Sequence, residues 1–255
     1  MYGCVVGLDA SVELVVYSMD RLVGDRERTC GWNCSSCLTP ASRKYHLVDS
    51  DGKLWGDTKA VTFTNGTKTS VRILGFRHDE LAGGGRAGIS FEFADAPWKH
   101  RMNAEDTNEG GWESSEMCAW LNLDFFVLLP EDLRVCVKPV TKRTNNVGKV
   151  KNKIDTTVVT KTSDHLWLLA SREIHGKTSG KDSDIYNAEG IQYQLYADQG
   201  ADLSNDGFCK KDGVVSWWYL RSPSAHNENG FCSVDIGAWY HLAGYDGGVS
   251  PGFCL

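Results

Sequence analysis

The sequence is poor in proline and has no long apolar run. Its 255 residues include only 6 Pro, against 27 Gly and 9 Trp, which favours a turn-rich, aromatic-rich fold over a helical bundle. No apolar run approaches the roughly 18 residues that a membrane span needs. Residues 1–24 also lack the basic start, unbroken apolar core and small-residue cleavage site of a secretory signal. We therefore expect a protein that acts inside the cell or leaves it as part of a larger particle.

Positive charge is also in short supply. The formal net charge is −6, and an acidic surface repels phosphate backbones, so we do not expect a nucleic-acid partner. Hydrophobic residues make up 41% of the chain and charged residues 24%, which is ordinary globular composition. The length fits one large domain, or one domain of about 200 residues with a small N-terminal addition.

Recognisable catalytic and cofactor motifs are absent. The chain has no G-x-S-x-G, no G-x-G-x-x-G, no P-loop and no EF-hand loop. Candidate oxygen and nitrogen ligands occur at His78-Asp79, at His100 and in the acidic stretch 105–109, which we interpret as solvated loops. We therefore expect a binding protein without a catalytic residue or cofactor, with calcium and zinc left open but unsupported.

Nine cysteines, an odd number, leave at least one thiol unpaired within the chain. Most are expected to be free, with a bridge between Cys232 and Cys254 as one open alternative. The spacing C-x3-C-x2-C near the N-terminus could hold half of a zinc site or an iron–sulfur cluster, although no site is the favoured interpretation. These three residues are Cys30, Cys34 and Cys37.

Hydrophobic patterning predicts an α+β fold of short strands, two or three short helices and many loops. Asn65-Gly66 is a strong hairpin signal between strands at 60–64 and 70–76. Ser114 or Ser115 can cap a helix that runs to Leu121, and Pro130 can open a second one. Further strands are predicted at 88–94, 137–144, 156–161, 214–220, 231–234 and 249–254, a buried run at 166–169, and a third helix at 188–196.

The C-terminal third carries the clearest functional signal. Residues 217–223 place three aromatic residues beside Arg221, a pattern expected of a core strand whose arginine is satisfied by carbonyls. Residues 224–248 are rich in Gly, Ala, Ser, Asn, Asp, Tyr and His, and no lysine follows Lys211. Binding surfaces favour such residues, because aromatic rings give rigid contact area and small polar groups give adaptable hydrogen bonds. A plain Gly-rich surface loop remains the alternative.

From about residue 55 to residue 255 the sequence resembles a domain of unknown function from gut Firmicutes, Actinobacteria and their phages. The matching stretches include 71–76 (VRILGF), 129–134 (LPEDLR), 138–142 (KPVTK), 144–148 (TNNVG), 218–223 (WYLRSP) and 248–254 (GVSPGFC). The resemblance implies a C-type-lectin-like fold of the formylglycine-generating-enzyme branch at 46–255, although the sugar-binding triplets of C-type lectins are absent. It does not cover the cysteine-containing segment 1–45.

Many members of that group resemble the variable proteins of diversity-generating retroelements, in which asparagine codons near the C-terminus are rewritten. The resemblance implies a ligand-binding variable region at about 224–248, carried on a phage virion or cell surface and directed at a protein or glycan. A homo-oligomer is left open. Ten positions have residue types that rewritten asparagine codons can encode: Ser233, Asp235, Ile236, Ala238, Tyr240, His241, Leu242, Gly244, Tyr245 and Asp246. Trp218, Arg221 and Trp239 would belong to the fixed scaffold.

Two alternatives accompany this interpretation. An oxidase-like enzyme on the same fold would use a reactive cysteine pair, for which Cys232 and Cys254 are candidates by position. An adhesion module without diversification would have the same fold and no rewritten positions. A near-duplicate of the 3′ end of the gene, beside a reverse transcriptase, distinguishes this last alternative from a variable protein.

Overall fold

The computed structural model describes residues 53–54, 58–145, 159–176, 186–203, 217–225, 227–235 and 240–255. Segment 1–45, with the C-x3-C-x2-C spacing, lies outside these ranges. The predicted variable positions Ile236 and Ala238 and the predicted scaffold residue Trp239 also lie outside them. In the described ranges, no helix is long and apolar enough to cross a membrane.

The first sheet is built on the predicted hairpin. Asn65-Gly66 turns the chain between β1 and β2, with Gly66 at φ 86° and the Asn65 side chain accepting a hydrogen bond of 3.0 Å from the Thr67 amide. The described strands of this sheet follow the order β1-β2-β3-β12-β7, and every pairing is antiparallel. The strands are β1 (Thr58–Thr62), β2 (Lys68–Phe76), β3 (Ile89–Phe93), β7 (Trp167–Leu168) and β12 (Pro251–Cys254).

The second sheet carries the C-terminal third of the chain. Its described strands follow the order β10-β9-β8-β11-β4, in which β11 runs parallel to β8 and the other pairs are antiparallel. Ser250 alone separates β11 from β12, so the chain passes directly from the second sheet into the first. The strands are β4 (Trp98–His100), β8 (Trp218–Pro223), β9 (Gly230–Val234), β10 (Tyr240–Leu242) and β11 (Gly247–Val249).

Short helices and a two-stranded ribbon, β5 (Val140–Asn145) with β6 (Val159–Asp164), complete the described fold. Ser115 caps α1 as predicted, because its hydroxyl accepts a hydrogen bond from the Cys118 amide. Pro130 precedes α2 as its N-cap. The α-helices are α1 (Glu116–Trp120), α2 (Glu131–Arg134), α3 (Ser171–His175) and α4 (Gln194–Asp198); α1 continues into a π-turn (Leu121–Phe125) and a 3-10 turn (Phe126–Leu128).

The second sheet lies between two hydrophobic clusters. Along β8, Trp218 and Leu220 contribute to one cluster, whereas Tyr219 contributes to the other. On β9, Phe231 shares the cluster of Tyr219, and Val234 shares the cluster of Trp218. Both faces of these strands are therefore buried, which explains why β8 and β9 are buried at every position.

The α+β class is confirmed, with mostly short strands and a few short helices, whereas several element predictions need correction. The predicted helix at 188–196 is a 3-10 turn (Asn187–Glu189) and α4, separated by an extended stretch that starts at Gly190 with φ 142°. Helix α3 was not predicted. Strand β10 occupies a stretch that the sequence predicts as a loop, because its pairing with β9 overrides weak local patterning.

Candidate functional site

Six of the ten predicted variable residues lie on the edge strand β10 of the second sheet or beside it, and none of the six is buried. They lie at the end of β9, on β10 and in the turn from β10 to β11. The rings of Tyr240 and Tyr245 are 37% and 55% exposed. We call this set the C-terminal surface: Asp235, Tyr240, His241, Leu242, Tyr245 and Asp246.

A stacked histidine links the two ends of the C-terminal surface. The His241 ring lies 3.6 Å from the Trp217 ring, with 9° between their planes. His241 Nε2 is 2.9 Å from Asp235 Oδ2, and both side chains are only partly exposed. The side chains at the predicted variable positions 235 and 241 thus contact each other, and the His241 ring stacks on Trp217.

The turn that follows β10 is anchored through its main chain. The Tyr219 hydroxyl hydrogen-bonds the Leu242 carbonyl, and lies 3.0 Å from the Tyr245 carbonyl. Burial raises the pKa of Tyr219, and the nearby carboxylates of Asp106 and Asp246 raise it further, so this hydroxyl keeps its proton. Because carbonyls accept these bonds, they do not depend on the side chains at 242 and 245.

The segment that precedes α1 holds the same turn from the other side. The Ala243 carbonyl accepts hydrogen bonds from the Met102 and Asn103 amides at 2.9 and 3.0 Å. The Gly244 amide donates to Asp106 Oδ1 at 2.9 Å, and the Ala243 amide donates to the Asn229 carbonyl at 2.8 Å. The turn is therefore fixed by four further bonds that involve only its backbone.

Buried residues alternate with the exposed ones. Ala243 is fully buried, and so are the predicted scaffold residues Trp218 (2% exposed) and Arg221. A Cβ atom at Gly247 would collide with the rings of Trp217 and Tyr219, so this glycine is required by close packing. These positions form a framework that side-chain changes would disrupt.

Two predicted variable positions do not belong to the exposed set. Ser233 lies within β9, is 5% exposed, and its hydroxyl has no hydrogen-bond partner among the described residues. It is buried because it lies opposite Tyr219 in the inner pair of strands. Gly244 is partly exposed, but a Cβ there would lie 2.8 Å from Asp106 Oδ1, so a larger residue requires that carboxylate to move.

A network of buried charges lies in the core near the junction of the sheets. Lys142 Nζ bonds Asp79 Oδ1 at 2.7 Å and Glu173 Oε1 at 2.8 Å, and lies 4.4 Å from the centre of the Trp167 ring. The Tyr193 hydroxyl completes the contact at 3.0 Å from Lys142 Nζ. Burial alone would raise the pKa of Asp79, but the Lys142 ammonium outweighs it and lowers that pKa below its usual range.

Arg221 continues this network into β8. Its guanidinium pairs with both carboxylate oxygens of Glu173, at 2.5 and 2.9 Å. Its remaining donors reach the Thr144 hydroxyl and the carbonyls of Leu168, Arg143 and Glu189 at 2.9–3.2 Å. Burial raises the pKa of Glu173, and Arg221 and then Lys142 reverse that effect, so the carboxyl stays ionised. In this network the positive charges of Lys142 and Arg221 therefore balance the negative charges of two carboxylates, Asp79 and Glu173.

Glu189 lies beside this balanced set, and no cation among the described residues forms an ion pair with its carboxylate. That carboxylate accepts hydrogen bonds from the Ser222 hydroxyl at 2.5 Å and from the Asn145 amide at 3.2 Å. Burial raises its pKa to about 7, and Arg221 only partly opposes the shift. This group consequently titrates near neutral pH.

His78, Asp79 and Glu173 offer ligand atoms within 4.8 Å of one another, a set that a metal ion could use. Lys142 already bonds both carboxylates, so their charge is balanced by an ammonium group. The interpretation of His78-Asp79 as a solvated loop was wrong: both residues are buried, at 9% and 5% exposed, and the His78 ring stacks on Tyr193 at 3.9 Å. The stretch 105–109 does carry exposed carboxylates, and His100 stacks on Trp120.

In a comparison with family models, residues 89–255 match "Domain of unknown function (DUF6273)". The chain belongs to this family. No curated protein and no solved structure matches the chain. The matched DUF6273 region begins at β3 and contains the C-terminal surface together with Lys142, Glu173 and Arg221; β1, β2 and Asp79 precede it.

The cysteines of this DUF6273 chain correct one sequence prediction. Cys118, Cys232 and Cys254 are buried thiols outside any disulfide, so the open alternative of a Cys232–Cys254 bridge is wrong. The two residues contribute to different hydrophobic clusters, which separates them. Burial raises the pKa of Cys254, and the Asp79 carboxylate adds to the shift. Cys136 is disulfide-bonded.

Proposed function

We propose that this DUF6273 protein is a ligand-binding protein that recognises a protein or glycan through its C-terminal surface. One observation carries the proposal: at 242–245 the rest of the protein holds the turn through its backbone atoms and not through its exposed side chains. Tyr219, Asp106, Met102 and Asn103 bind the backbone of that turn, while the side chain of Tyr245 faces solvent. A surface anchored in this way can change its side chains at small cost, since exposed substitutions usually alter stability by less than about 0.5 kcal/mol.

A C-type-lectin-like architecture and diversification by a retroelement are parts of the same proposal. Two open sheets, short helices and long connections support the first part. The second rests on the residue types at the ten positions, of which six, all exposed or partly exposed, lie along the edge strand β10 or beside it. Because Ser233 is buried within β9, we leave it out of the proposed set of diversified positions among the described residues. A phage virion or a cell surface is the setting we propose for such a binder.

The oxidase alternative gains no support from the described cysteines. A thiol that reacts with substrate needs access and thiolate character. Cys232 and Cys254 are 8% and 0% exposed, and burial raises the pKa of Cys254. We therefore propose binding as the function and offer no second candidate.

Two displayed libraries test the proposal without knowledge of the ligand. The first randomises the exposed and partly exposed positions 235, 240, 241, 242, 245 and 246. The second randomises the framework positions 218, 219, 234, 243, 247 and 249. Most members of the first library should stay folded, as judged by protease resistance on the display host, whereas few members of the second should.

The second part of the test asks whether ligand binding depends on the exposed tyrosines. The wild-type domain is screened against a glycan array and a peptide display library, and hits are repeated with Tyr240→Ala/Tyr245→Ala. Binding should fall in this variant while its melting temperature stays within about 2 °C of wild type. Equal loss of folding in both libraries, or hits that ignore both tyrosines, would overturn the proposed function.

A further inference from the structure

The segment that contains the C-terminal surface and the segment that packs against it have no lysine and no arginine. Residues 102–116 precede and form the start of α1, and residues 222–255 follow Arg221 to the end of the chain. Together they carry eight carboxylates: Glu105, Asp106, Glu109, Glu113, Glu116, Glu228, Asp235 and Asp246. The two segments therefore carry eight negative charges and no lysine or arginine, whereas the whole chain has a net charge of only −6.

The fold brings these segments together. The Asn108 amide donates to the Glu228 carbonyl at 2.8 Å, and the Asn108 side chain reaches the Gly230 carbonyl at 2.9 Å. Asp106 meets the turn at Gly244. The carboxylates of Asp106 and Asp246 both lie near enough to the Tyr219 hydroxyl to act on it electrostatically. Asp106 and Asp246 therefore lie close to the turn that carries the exposed ring of Tyr245.

Among the described residues, the nearby basic side chains do not balance the carboxylates of this region. On the adjacent strand β4 and just after it lie Lys99, His100 and Arg101. Arg101 pairs with Glu116 at 3.0 Å, so that charge is already balanced. Lys99 is outnumbered by four exposed carboxylates, those of Glu105, Asp106, Glu109 and Asp246. The partly exposed Asp235 contacts His241 Nε2 at 2.9 Å. Exposed carboxylates therefore outnumber ammonium and guanidinium groups among the described residues of this region.

We propose that the occupant of the C-terminal surface is a lysine- and arginine-rich segment of a partner protein; this rests on the proposed binding function and narrows its ligand. Charge complementarity selects this class. Cationic side chains can lie over the exposed rings of Tyr240 and Tyr245 and form ion pairs with Asp106 and Asp246. A neutral glycan could stack on the rings but would leave the carboxylates unused, and an acidic glycan would be repelled.

Fluorescence anisotropy with three labelled decapeptides tests the proposal: oligolysine, oligoglutamate and a neutral Gly–Ser peptide. Oligolysine should bind the full chain at 20 mM NaCl, the other two should not, and 200 mM NaCl should weaken the complex. Asp106→Asn/Asp246→Asn should weaken it about tenfold, because two ion pairs are lost. The amide that replaces the carboxylate at position 106 still offers an oxygen to the Gly244 amide, so the turn is kept.

A matched double variant controls for general charge. Glu131→Gln/Asp132→Asn removes two exposed carboxylates from α2 and should leave oligolysine binding unchanged. Equal weakening by both double variants would overturn the inference, as would a neutral or acidic ligand that depends on Tyr240 and Tyr245. That last result would leave the proposed binding function standing. If no ligand of any charge depends on these tyrosines, both proposals fail.

Discussion

Arg221 and Glu173 form a two-bond ion pair inside the protein, and the Arg221 side chain has no exposed area. A buried pair of this kind is weak evidence for stability by itself, because removing two charges from water is costly. Its geometry nevertheless fixes β8 against α3 and β5. The framework under the C-terminal surface therefore depends on a bond between residues 48 positions apart.

Arg221→Met should unfold the protein at markedly lower denaturant concentration. The change leaves Glu173 bonded to one described cation, Lys142, and removes donors from three carbonyls, so we expect a loss of about 3 kcal/mol or more. Urea unfolding followed by tryptophan fluorescence measures it. Arg101→Gln is the control, because that pair is about half exposed and should contribute less than about 1 kcal/mol. Equal losses in both variants would contradict the role of Arg221.

Stability should fall as pH rises from about 4.5 to 7 through Glu189. Its pKa is raised from 4.5 to about 7 on folding, so the folded state holds a proton that the unfolded state has released. The stabilisation is complete below the unfolded pKa and is lost as pH rises through the folded one. Glu189→Gln mimics the protonated form and should reduce this pH dependence, by at most about 3 kcal/mol.

Urea midpoints of wild type and Glu189→Gln at pH 5 and pH 8 give that comparison. The other titrating groups are shared by both proteins, so their contributions cancel in the difference. Asp79 and Glu173, whose pKa values are lowered, lose their stabilisation only at more acidic pH. Parallel pH profiles for the two proteins would show that Glu189 is ionised throughout.

Ser233→Ala should leave stability unchanged or raise it by about 1 kcal/mol. The Ser233 hydroxyl is buried and has no partner among the described residues, so its removal ends a desolvation penalty. Ser90→Ala is the matched control, since that buried strand hydroxyl bonds Asp79 at 2.5 Å and its loss should destabilise by about 1–2 kcal/mol. The reverse order of the two thermal midpoints would show that Ser233 is hydrogen-bonded.

Tyr219→Phe should loosen the turn at 242–245 without removing core volume. The variant loses the hydroxyl that contacts the carbonyls of Leu242 and Tyr245 but keeps the ring against Trp217. We expect a loss of about 1–2 kcal/mol and faster amide hydrogen exchange at Gly244 and Tyr245. Unchanged exchange there would mean that the turn holds without this anchor.

Local signals were enough to predict much of the fold. The hairpin at Asn65-Gly66 and the cap at Ser115 each follow from a few neighbouring residues, and both occur where expected. Helix α3 was missed because it is only five residues long and is fixed by Glu173, whose partners are remote in sequence. Strand β10 was missed for the same reason, since its pairing with β9 decides its conformation.

The buried charges show where sequence reasoning fails. From the neighbouring sequence alone, four charged residues are expected to be solvated, because lone charged side chains are seldom buried. They are Asp79, Lys142, Glu173 and Glu189. Their burial is made tolerable only by contacts between distant segments. Lys142 pairs with Asp79 and Glu173, 63 and 31 positions away, and Glu189 accepts hydrogen bonds from Ser222 and Asn145. Arg221 differs, because its position among apolar neighbours in β8 already marked it as a core residue.

The passage from β11 to β12 through Ser250 also bears on when the protein can fold. Strand β12 is the link between β3 and β7, and β11 is the link between β8 and β4, so both sheets are divided until residues 247–254 are in place. During synthesis those residues leave the ribosome after everything they join. Assembly of the two halves of each sheet must therefore follow the synthesis of residues 247–254, and a chain interrupted before residue 247 lacks the two strands that join those halves.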